Sequence, residues 1–249
     1  MKRGLLVLTL FVAYLVNAQS SALFEQGKQQ YKQEKYQEAI NNWMKIVDAG
    51  EHSAALYFNI GNAYYKMNSI GPSIYFYEKA LQLDPNDQEI LNNLAFARNA
   101  TVDSIEPLPQ TIFAKWDSEL ASWLSFEGWA WVTVLSAFGF AILFLSYYFT
   151  SYSMRKRLLF AGALIFIFVL FTAFVMSFRT YDRQMNDQPA IVFAESTEVK
   201  SDPRMKGETS FMLHEGTKVQ ILAEDGDWYR IQIADGKDGW MLKDDLREL

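Results

Sequence analysis

Two long stretches without charge dominate the pattern of polar and apolar positions along this chain. Residues 128–154 and 158–178 contain no Asp, Glu, Lys or Arg, and Arg155-Lys156-Arg157 divides them. A membrane-crossing helix needs about 20 predominantly apolar residues, a length that each stretch meets. Inside hydrocarbon every backbone N–H and C=O must be paired within its own segment, so both stretches are expected to be helical. Trp129 and Trp131 mark one end, and Tyr147, Tyr148 and Tyr152 the other. Such amphipathic rings prefer the headgroup layer. The pattern predicts a transmembrane hairpin with spans at 128–150 and 158–178 and a loop at 151–157. A buried helical pair in a soluble protein is the alternative.

Upstream, residues 19–100 show helical periodicity and an internal repeat. Gly27 set over Gly61 gives an offset of 34, which also brings Ala39 onto Ser73, Trp43 onto Tyr77, Ile46 onto Ala80 and Glu51 onto Pro85. The pattern predicts helices near 21–33, 36–48, 53–67, 70–83 and 86–100, with Asp84-Pro85 as the cap and first turn of the last. Small residues at Gly27 and Gly61 would let paired helices approach, and Trp43 and Tyr77 would fill the space between them. The period, the small residue in mid-helix, the later aromatic and the closing Pro resemble the tetratricopeptide (TPR) pattern. The second repeat fits better, since the first lacks the Pro and has Gln30 where the second has Tyr64. The last helix, with Leu91, Leu94 and Phe96, would cap the stack.

The TPR resemblance implies a partner-binding groove lined by the first helix of each pair. In this register its positions are Phe24, Lys28, Tyr31, Phe58, Asn62, Tyr65 and Lys66. Phe24 and Phe58 stand where clamp-bearing relatives hold a peptide carboxylate with polar residues, so that clamp is not carried over. An aromatic groove for an extended or helical peptide is one reading. Aromatics packed against the neighbouring helices or the membrane hairpin are the other.

Residues 101–127 form a proline-containing linker followed by a helical pattern. Ile112, Phe113, Trp116, Leu120, Trp123 and Leu124 recur at helical spacing, with Lys115, Asp117 and Glu119 opposite. An amphipathic helix beside a span is expected to lie in the membrane interface, with docking onto protein as the alternative. Neither span holds an ionisable residue, which argues against an ion pathway through this chain alone. Ala137 and Ala141 form a small-xxx-small pair that could seat another helix.

Residues 187–249 switch to a period of two. Alternating runs at 190–194, 217–222, 228–233 and 239–242 are separated by Asp-Gly and Gly-Asp turns, the signature of a small all-β barrel. Leu213, Glu215-Gly216, Val219, Gly226, Trp228, Ile231, Gly236 and Gly239-Trp240 closely resemble the bacterial SH3-like (SH3b) domain. That resemblance implies that Trp228 and Tyr229 lie near a peptide-facing groove, with Trp240 in groove or core.

Charge sets the expected topology. Short loops rich in Lys and Arg stay in the cytoplasm, so the three cations between the spans would be inside. Residues 19–110 have net charge −4 and residues 187–249 net −6, and both would lie outside. Lys115, Arg179 and Arg183 on the outer flanks moderate the bias. Residues 1–18 read as a secretory signal peptide, with Lys2 and Arg3 before an apolar run and Val16-Asn17-Ala18 as the cleavage site. An uncleaved anchor is the alternative. The acidic balance argues against nucleic acid as a partner.

The chain has no Cys, so thiol catalysis, disulfides and Cys-based metal sites are excluded. His52 and His214 are its histidines; His214 stands beside Glu215, but no third ligand accompanies either, so no metal or other cofactor is expected. No phosphate-cradling loop or catalytic constellation stands out, and a non-enzymatic protein is expected.

Signal peptide, TPR units, hairpin and SH3-like domain, in that order, resemble the BatE family of the Bacteroides aerotolerance (Bat) operon. The resemblance implies a multi-pass protein of the bacterial inner membrane, with both flanking domains in the periplasm, acting beside Bat proteins that carry von Willebrand A domains. The expected fold class is multi-domain: all-α TPR hairpins, a two-helix transmembrane hairpin and a small all-β SH3-like barrel. A scaffold that binds other membrane or periplasmic proteins is one function consistent with it. A sensor or anchor that binds peptidoglycan through the SH3-like domain is the other.

Overall fold

The computed structural model describes residues 19–109 and 111–249; the expected signal peptide lies outside the described residues. The fold is multi-domain, with a TPR-like helical region, two long apolar helices and a C-terminal antiparallel sheet. It divides into two compact units, one holding the chain up to Pro107 together with Gln188–Leu249, the other Leu108–Asp187.

The helical part of the first unit contains α1 (residues 19–32), α2 (Tyr36–Asp48), α3 (Ala54–Lys66), α4 (Ile70–Leu83) and α5 (Gln88–Asn99). The packing repeats with the 34-residue offset. A Cβ on Gly61 would lie 2.8 Å from the Tyr77 ring, and one on Gly27 would overlap the Trp43 ring. Trp43 is 0% and Tyr77 1% exposed, so each ring fills a slot that only glycine leaves open. Glu34 and Asn68, also 34 apart, both take left-handed backbone conformations (φ 62° and 60°) in the turn between paired helices. Asp87 caps α5, its carboxylate accepting from the backbone N–H groups of Glu89 and Ile90 (2.8 and 3.2 Å). This corrects the expected Asp84-Pro85 cap: Asp84 ends α4 instead, and α5 starts two residues later than expected, at Gln88.

The sheet joins β1 (Pro189–Val192), β2 (Ser196–Lys200), β3 (Thr209–His214), β4 (Lys218–Asp225), β5 (Trp228–Gln232), β6 (Asp238–Leu242) and β7 (Leu246–Glu248) in the order β3-β2-β6-β5-β4-β1-β7. Its core contains Ala190, Val192, Val199, Leu213, Val219, Ile221, Ile231 and Met241. Strand β1 serves both halves of the unit. Ala190 and Val192 face the sheet core, whereas Ile191, fully buried, packs into the helical core, and Phe193 meets Tyr75 edge-on at 5.4 Å. The strand's period of two makes this division possible.

Polar contacts reinforce the seam between helices and sheet. Residues 101–107, read from sequence as linker, are held along it. The Asp103 carboxylate accepts from the His214 backbone N–H (2.8 Å) and the Thr217 hydroxyl (2.6 Å), and lies 2.7 Å from His214 Nδ1. Ile105 packs onto the sheet core. The Glu78 carboxylate is nearly buried between Arg98 and Lys218 (2.9 Å). The Gly71 N–H donates to Glu215 at 3.2 Å. Gly216 has φ +87°, and a Cβ there would lie 2.8 Å from Thr101, so turn and seam both require glycine.

The second unit contains α6 (Ile112–Ser122), α7 (Phe126–Phe149) and α8 (Ser153–Asn186). Helices α7 and α8 are long and apolar enough to cross a membrane. They pack side by side through small residues: a Cβ on Gly139 would overlap the Phe166 ring, and Ser136, Ala163 and Ala173 are buried. Ala137 and Ala141, by contrast, are exposed and lie outside this contact. The turn is tighter than expected. Arg155-Lys156-Arg157 lies in the first turns of α8 rather than in a loop, with Arg155 over the Tyr152 ring and Lys156 over Tyr147 (5.0 and 5.6 Å). Helix α8 also runs past Phe178 to Asn186.

These contacts set the cost of two substitutions. Trp43→Ala is expected to cost about 3–5 kcal/mol, as large-to-small aromatic changes in cores do. A melting temperature of the full chain within a degree or two of wild type would contradict the packing of Trp43 against Gly27. Asp103→Ala leaves the partly buried donors of His214 and Thr217 unpaired, at about 1–3 kcal/mol each. Burial alone would raise the Asp103 carboxyl, but the Thr217 hydroxyl, the His214 ring and the His214 backbone N–H together hold it below its ordinary value. A lowered folded-state value contributes stability above the unfolded carboxyl pKa of about 3.9 and loses it as pH falls through the folded value. The stability difference between wild type and Asp103→Ala, measured by urea titration, is therefore expected to shrink as the pH falls below about 4.

Candidate functional site

The helical stack carries a cavity of about 470 Å³ lined by Tyr31, Asn62, Tyr65, Lys66, Tyr77, Glu89, Asn93 and Phe96. Helix α1 supplies Tyr31, α3 supplies Asn62, Tyr65 and Lys66, and α5 closes the far wall. At its floor, Asn62 Oδ1 accepts from the Tyr77 hydroxyl (2.6 Å) and from Asn93 Nδ2 (2.8 Å). Burial pushes the Tyr77 hydroxyl well up, so it stays a neutral donor. With both lone pairs of its oxygen engaged, Asn62 has its Nδ2 hydrogens for an outside acceptor, and Asn93 has its carbonyl for an outside donor. One donor and one acceptor side by side match the needs of an extended peptide backbone.

The rim adds chemistry. Tyr65 and Phe96 are exposed rings, and Lys66 and Glu89 make no ion pair among the described residues. An occupant therefore meets apolar faces, one cation and one anion.

Of the seven groove positions read from sequence, the structure brings Tyr31, Asn62, Tyr65 and Lys66 together at this cavity. Phe24 and Phe58 instead lie partly buried against core rings, with centroids 6.5 Å from Trp43 and 5.9 Å from Tyr77. Phe24 also borders a separate cleft of about 280 Å³ with Ser20, Glu51 and His52. Lys28 is held by Glu25 at 2.9 Å and sits over the Phe24 ring. Glu89, Asn93 and Phe96 are not among the positions expected from sequence, because the repeat pattern marks α5 only as a cap. The repeat offset reaches one of them: 34 residues beyond Asn62 stands Phe96.

On the sheet, Trp228, expected near a peptide-facing groove, is 8% exposed. Its ring area is large and apolar, and burial is where such a ring is most favourable. Tyr229 is half-buried and already engaged. Its hydroxyl donates to Glu248 at 2.5 Å, which pushes it up to about 12, and Lys243 lies over its ring. Trp240 is half-buried. A groove of about 390 Å³ beside β3 is bordered by Phe211, Met212 and Lys237, but its other wall is the chain's own Asp103, Ser104, Ile105 and Glu106.

Among the described residues no group of three or more His, Cys, Asp or Glu side chains could hold a metal ion.

Comparisons with known proteins agree with the modules. A bacterial SH3 domain family matches residues 195–247, and the tetratricopeptide repeat family matches residues 54–87. Both are typically non-catalytic modules that bind proteins or cell wall. No curated protein sequence matches the chain. Among solved structures, an NlpC/P60 family protein from Bacillus cereus matches over 28% of this chain and 23% of its own length, at 20% identity and TM-score 0.22. The first TPR of Spaghetti (RPAP3), bound to an HSP90 peptide, matches over 33% of this chain and 93% of its own, at 23% identity and TM-score 0.20. The chain thus carries a TPR repeat and a bacterial SH3 domain.

Proposed function

We propose that this protein is a non-catalytic, membrane-anchored adaptor that holds a partner protein by a peptide segment in the α1–α3–α5 groove. The observation that carries the reading is the paired Asn62 and Asn93 amides at the floor of an open, aromatic-rimmed cavity. By resemblance to the BatE family, the partner is another envelope protein, with Bat proteins that carry von Willebrand A domains as candidates. The alternative, peptidoglycan binding by the SH3-like domain, has less support. Trp228 is buried, Tyr229 is bonded to Glu248, and residues 103–106 border the groove beside β3.

Topology follows from connectivity. The TPR helices and the sheet share hydrogen bonds, so they occupy one compartment. A chain leaving one and rejoining the other crosses any membrane an even number of times, and α7 and α8, both long and apolar enough to cross, would supply two crossings. With Arg155-Lys156-Arg157 at the turn, the charge rule puts the turn in the cytoplasm and the folded unit in the periplasm.

Two experiments test this reading. Single cysteines at Asp225 and Ser153 are to be probed in cells with a membrane-impermeant thiol reagent after outer-membrane permeabilisation. Labelling is expected at Asp225 and not at Ser153, and the reverse would overturn the topology. Separately, a photo-crosslinking residue at Phe96 is expected to capture a partner. Tyr65→Ala with Lys66→Glu removes one ring and reverses one charge at the rim, away from Gly61, and is expected to lower capture at least tenfold with folding intact. Unchanged capture by that variant would refute the groove. Tyr229→Ala, with the groove intact, serves as the sheet control. Truncation of residues 187–249 is unsuitable, because it would remove Ile191 from the helical core.

A further inference from the structure

We infer that the cleft between α6 and the C-terminal end of α8 binds the phosphate of a glycerophospholipid in the adjacent leaflet. The inference rests on the reading of α7 and α8 as membrane spans. The cleft measures about 520 Å³ and is lined by Phe113, Ala114, Asp117, Ser118, Arg179 and Arg183. Asp117 pairs with Arg179 at 2.7 Å and with Arg183 at 3.2 Å. One carboxylate thus serves two guanidinium groups, and the cleft keeps an excess positive charge. The arginines are 53% and 49% exposed, so each has N–H donors to offer. Asp182, the nearest other acid on α8, is bonded to Asn186 instead.

Depth supports the assignment. The uncharged stretch of α8 ends at Phe178, so Arg179 stands at the hydrocarbon edge. Arg183 lies one turn further out, about 6 Å along the axis. The headgroup layer of one leaflet is about 5–7 Å thick, so both guanidinium groups fall at phosphate level. A guanidinium presents paired N–H donors that match phosphate oxygens.

The rest of α6 suits the acyl part of the same lipid. Asp117 meets Arg179 and Arg183, whereas Ala121 packs with Ala173, Met176 and Trp129, so α6 descends along α8 towards the apolar level. Trp129 Nε1 donates to the Ala121 carbonyl at 3.4 Å and pins that end. The face left uncovered is apolar: Phe113 is 79% and Trp116 64% exposed, with Ile112 and Trp123 beside them. Trp131, Leu135 and Phe174 of the long helices are exposed as well, and the occupant of such apolar surface beside two spans is the bilayer.

The test is native mass spectrometry of the detergent-purified full chain with phosphatidylglycerol, with diacylglycerol as the phosphate-free control. Wild type is expected to retain phosphatidylglycerol and not diacylglycerol. An arginine at a membrane surface is worth about fivefold in affinity, so Arg179→Gln with Arg183→Gln should weaken retention about 25-fold. Asp117→Asn frees both guanidinium groups and is expected to retain the lipid as well as wild type or better. Equal retention by wild type and the double variant would overturn the proposal. So would loss in Asp117→Asn equal to that in the double variant, since the arginines would then only brace α6. Displacement of the lipid by millimolar glycerol phosphate would also overturn it, by making the site one for soluble phosphates. An environment-sensitive dye at Phe144→Cys in vesicles separates the two layers of inference. A shielded dye with lipid retention insensitive to the arginines defeats this proposal alone, and a water-exposed dye defeats the spanning hairpin and this proposal together.

Discussion

Everything in the first unit depends on one strand that has two cores to fill. Strand β1 gives Ala190 and Val192 to the sheet and Ile191 to the helices. Burying one Ile side chain is worth about 1.5–3 kcal/mol, a large share of the stability of a small domain. Because Ile191 lies on the opposite face of β1 from its neighbours, neither half can be removed without exposing apolar surface on the other. The chain between the halves, Leu108–Asp187, therefore leaves and returns to a single folded body.

The polar contacts of the seam add specificity. Asp103 satisfies a backbone donor, a hydroxyl and a ring nitrogen, and Glu78 faces two cations. Leaving such groups unpaired in a partly buried place is costly, so they admit one register of sheet against helices. The same contacts hold residues 103–106 at the groove beside β3. The face of the SH3-like domain available to an outside peptide is narrowed by the chain itself, whereas the groove between α1, α3 and α5 stays open.

Much of this was legible in the sequence. The 34-residue offset placed Gly27 with Trp43 and Gly61 with Tyr77 because close packing demands a large ring opposite a missing side chain. The uncharged stretches marked α7 and α8, since runs of that length without charge are rare outside membrane spans. What escaped was whatever depends on contacts distant in sequence. Strand β2, with sequence STEVK, offers only Thr197 and Val199 as an alternating signal, and β7 has three residues. Residues 101–107 read as linker because their partners, His214 and Thr217, lie more than a hundred positions away. At the candidate site, Tyr31, Asn62, Tyr65 and Lys66 followed from the repeat, but the inward turn of Phe24 and Phe58 did not. Repeat position fixes the helix face, while the neighbouring helix decides how much of that face stays open.

The seam also resolves a difficulty that short repeat arrays share. Each TPR hairpin buries its apolar face only against a neighbour, and the last one needs a cap. In this chain α5 caps the stack along its order, with Ile90, Leu94 and Ala97 buried. That leaves the flank of α4, where Ile70, Ile74 and Tyr75 would meet solvent. The Ile70 and Ile74 side chains lie at Gly216, Tyr75 meets Phe193, and Ile191 enters the cluster that contains both isoleucines. The SH3-like domain thus acts as a lateral cap for an array otherwise too short to be well ordered. A groove built from so few helices can bind a peptide only if their spacing is fixed beforehand, since ordering them during binding would subtract from affinity. The covered flank of α4 fixes that spacing from behind, through Tyr77 on the same helix to Asn62 at the groove floor. The SH3-like domain thereby covers the one flank of the helical array that neither its own repeats nor α5 can cover.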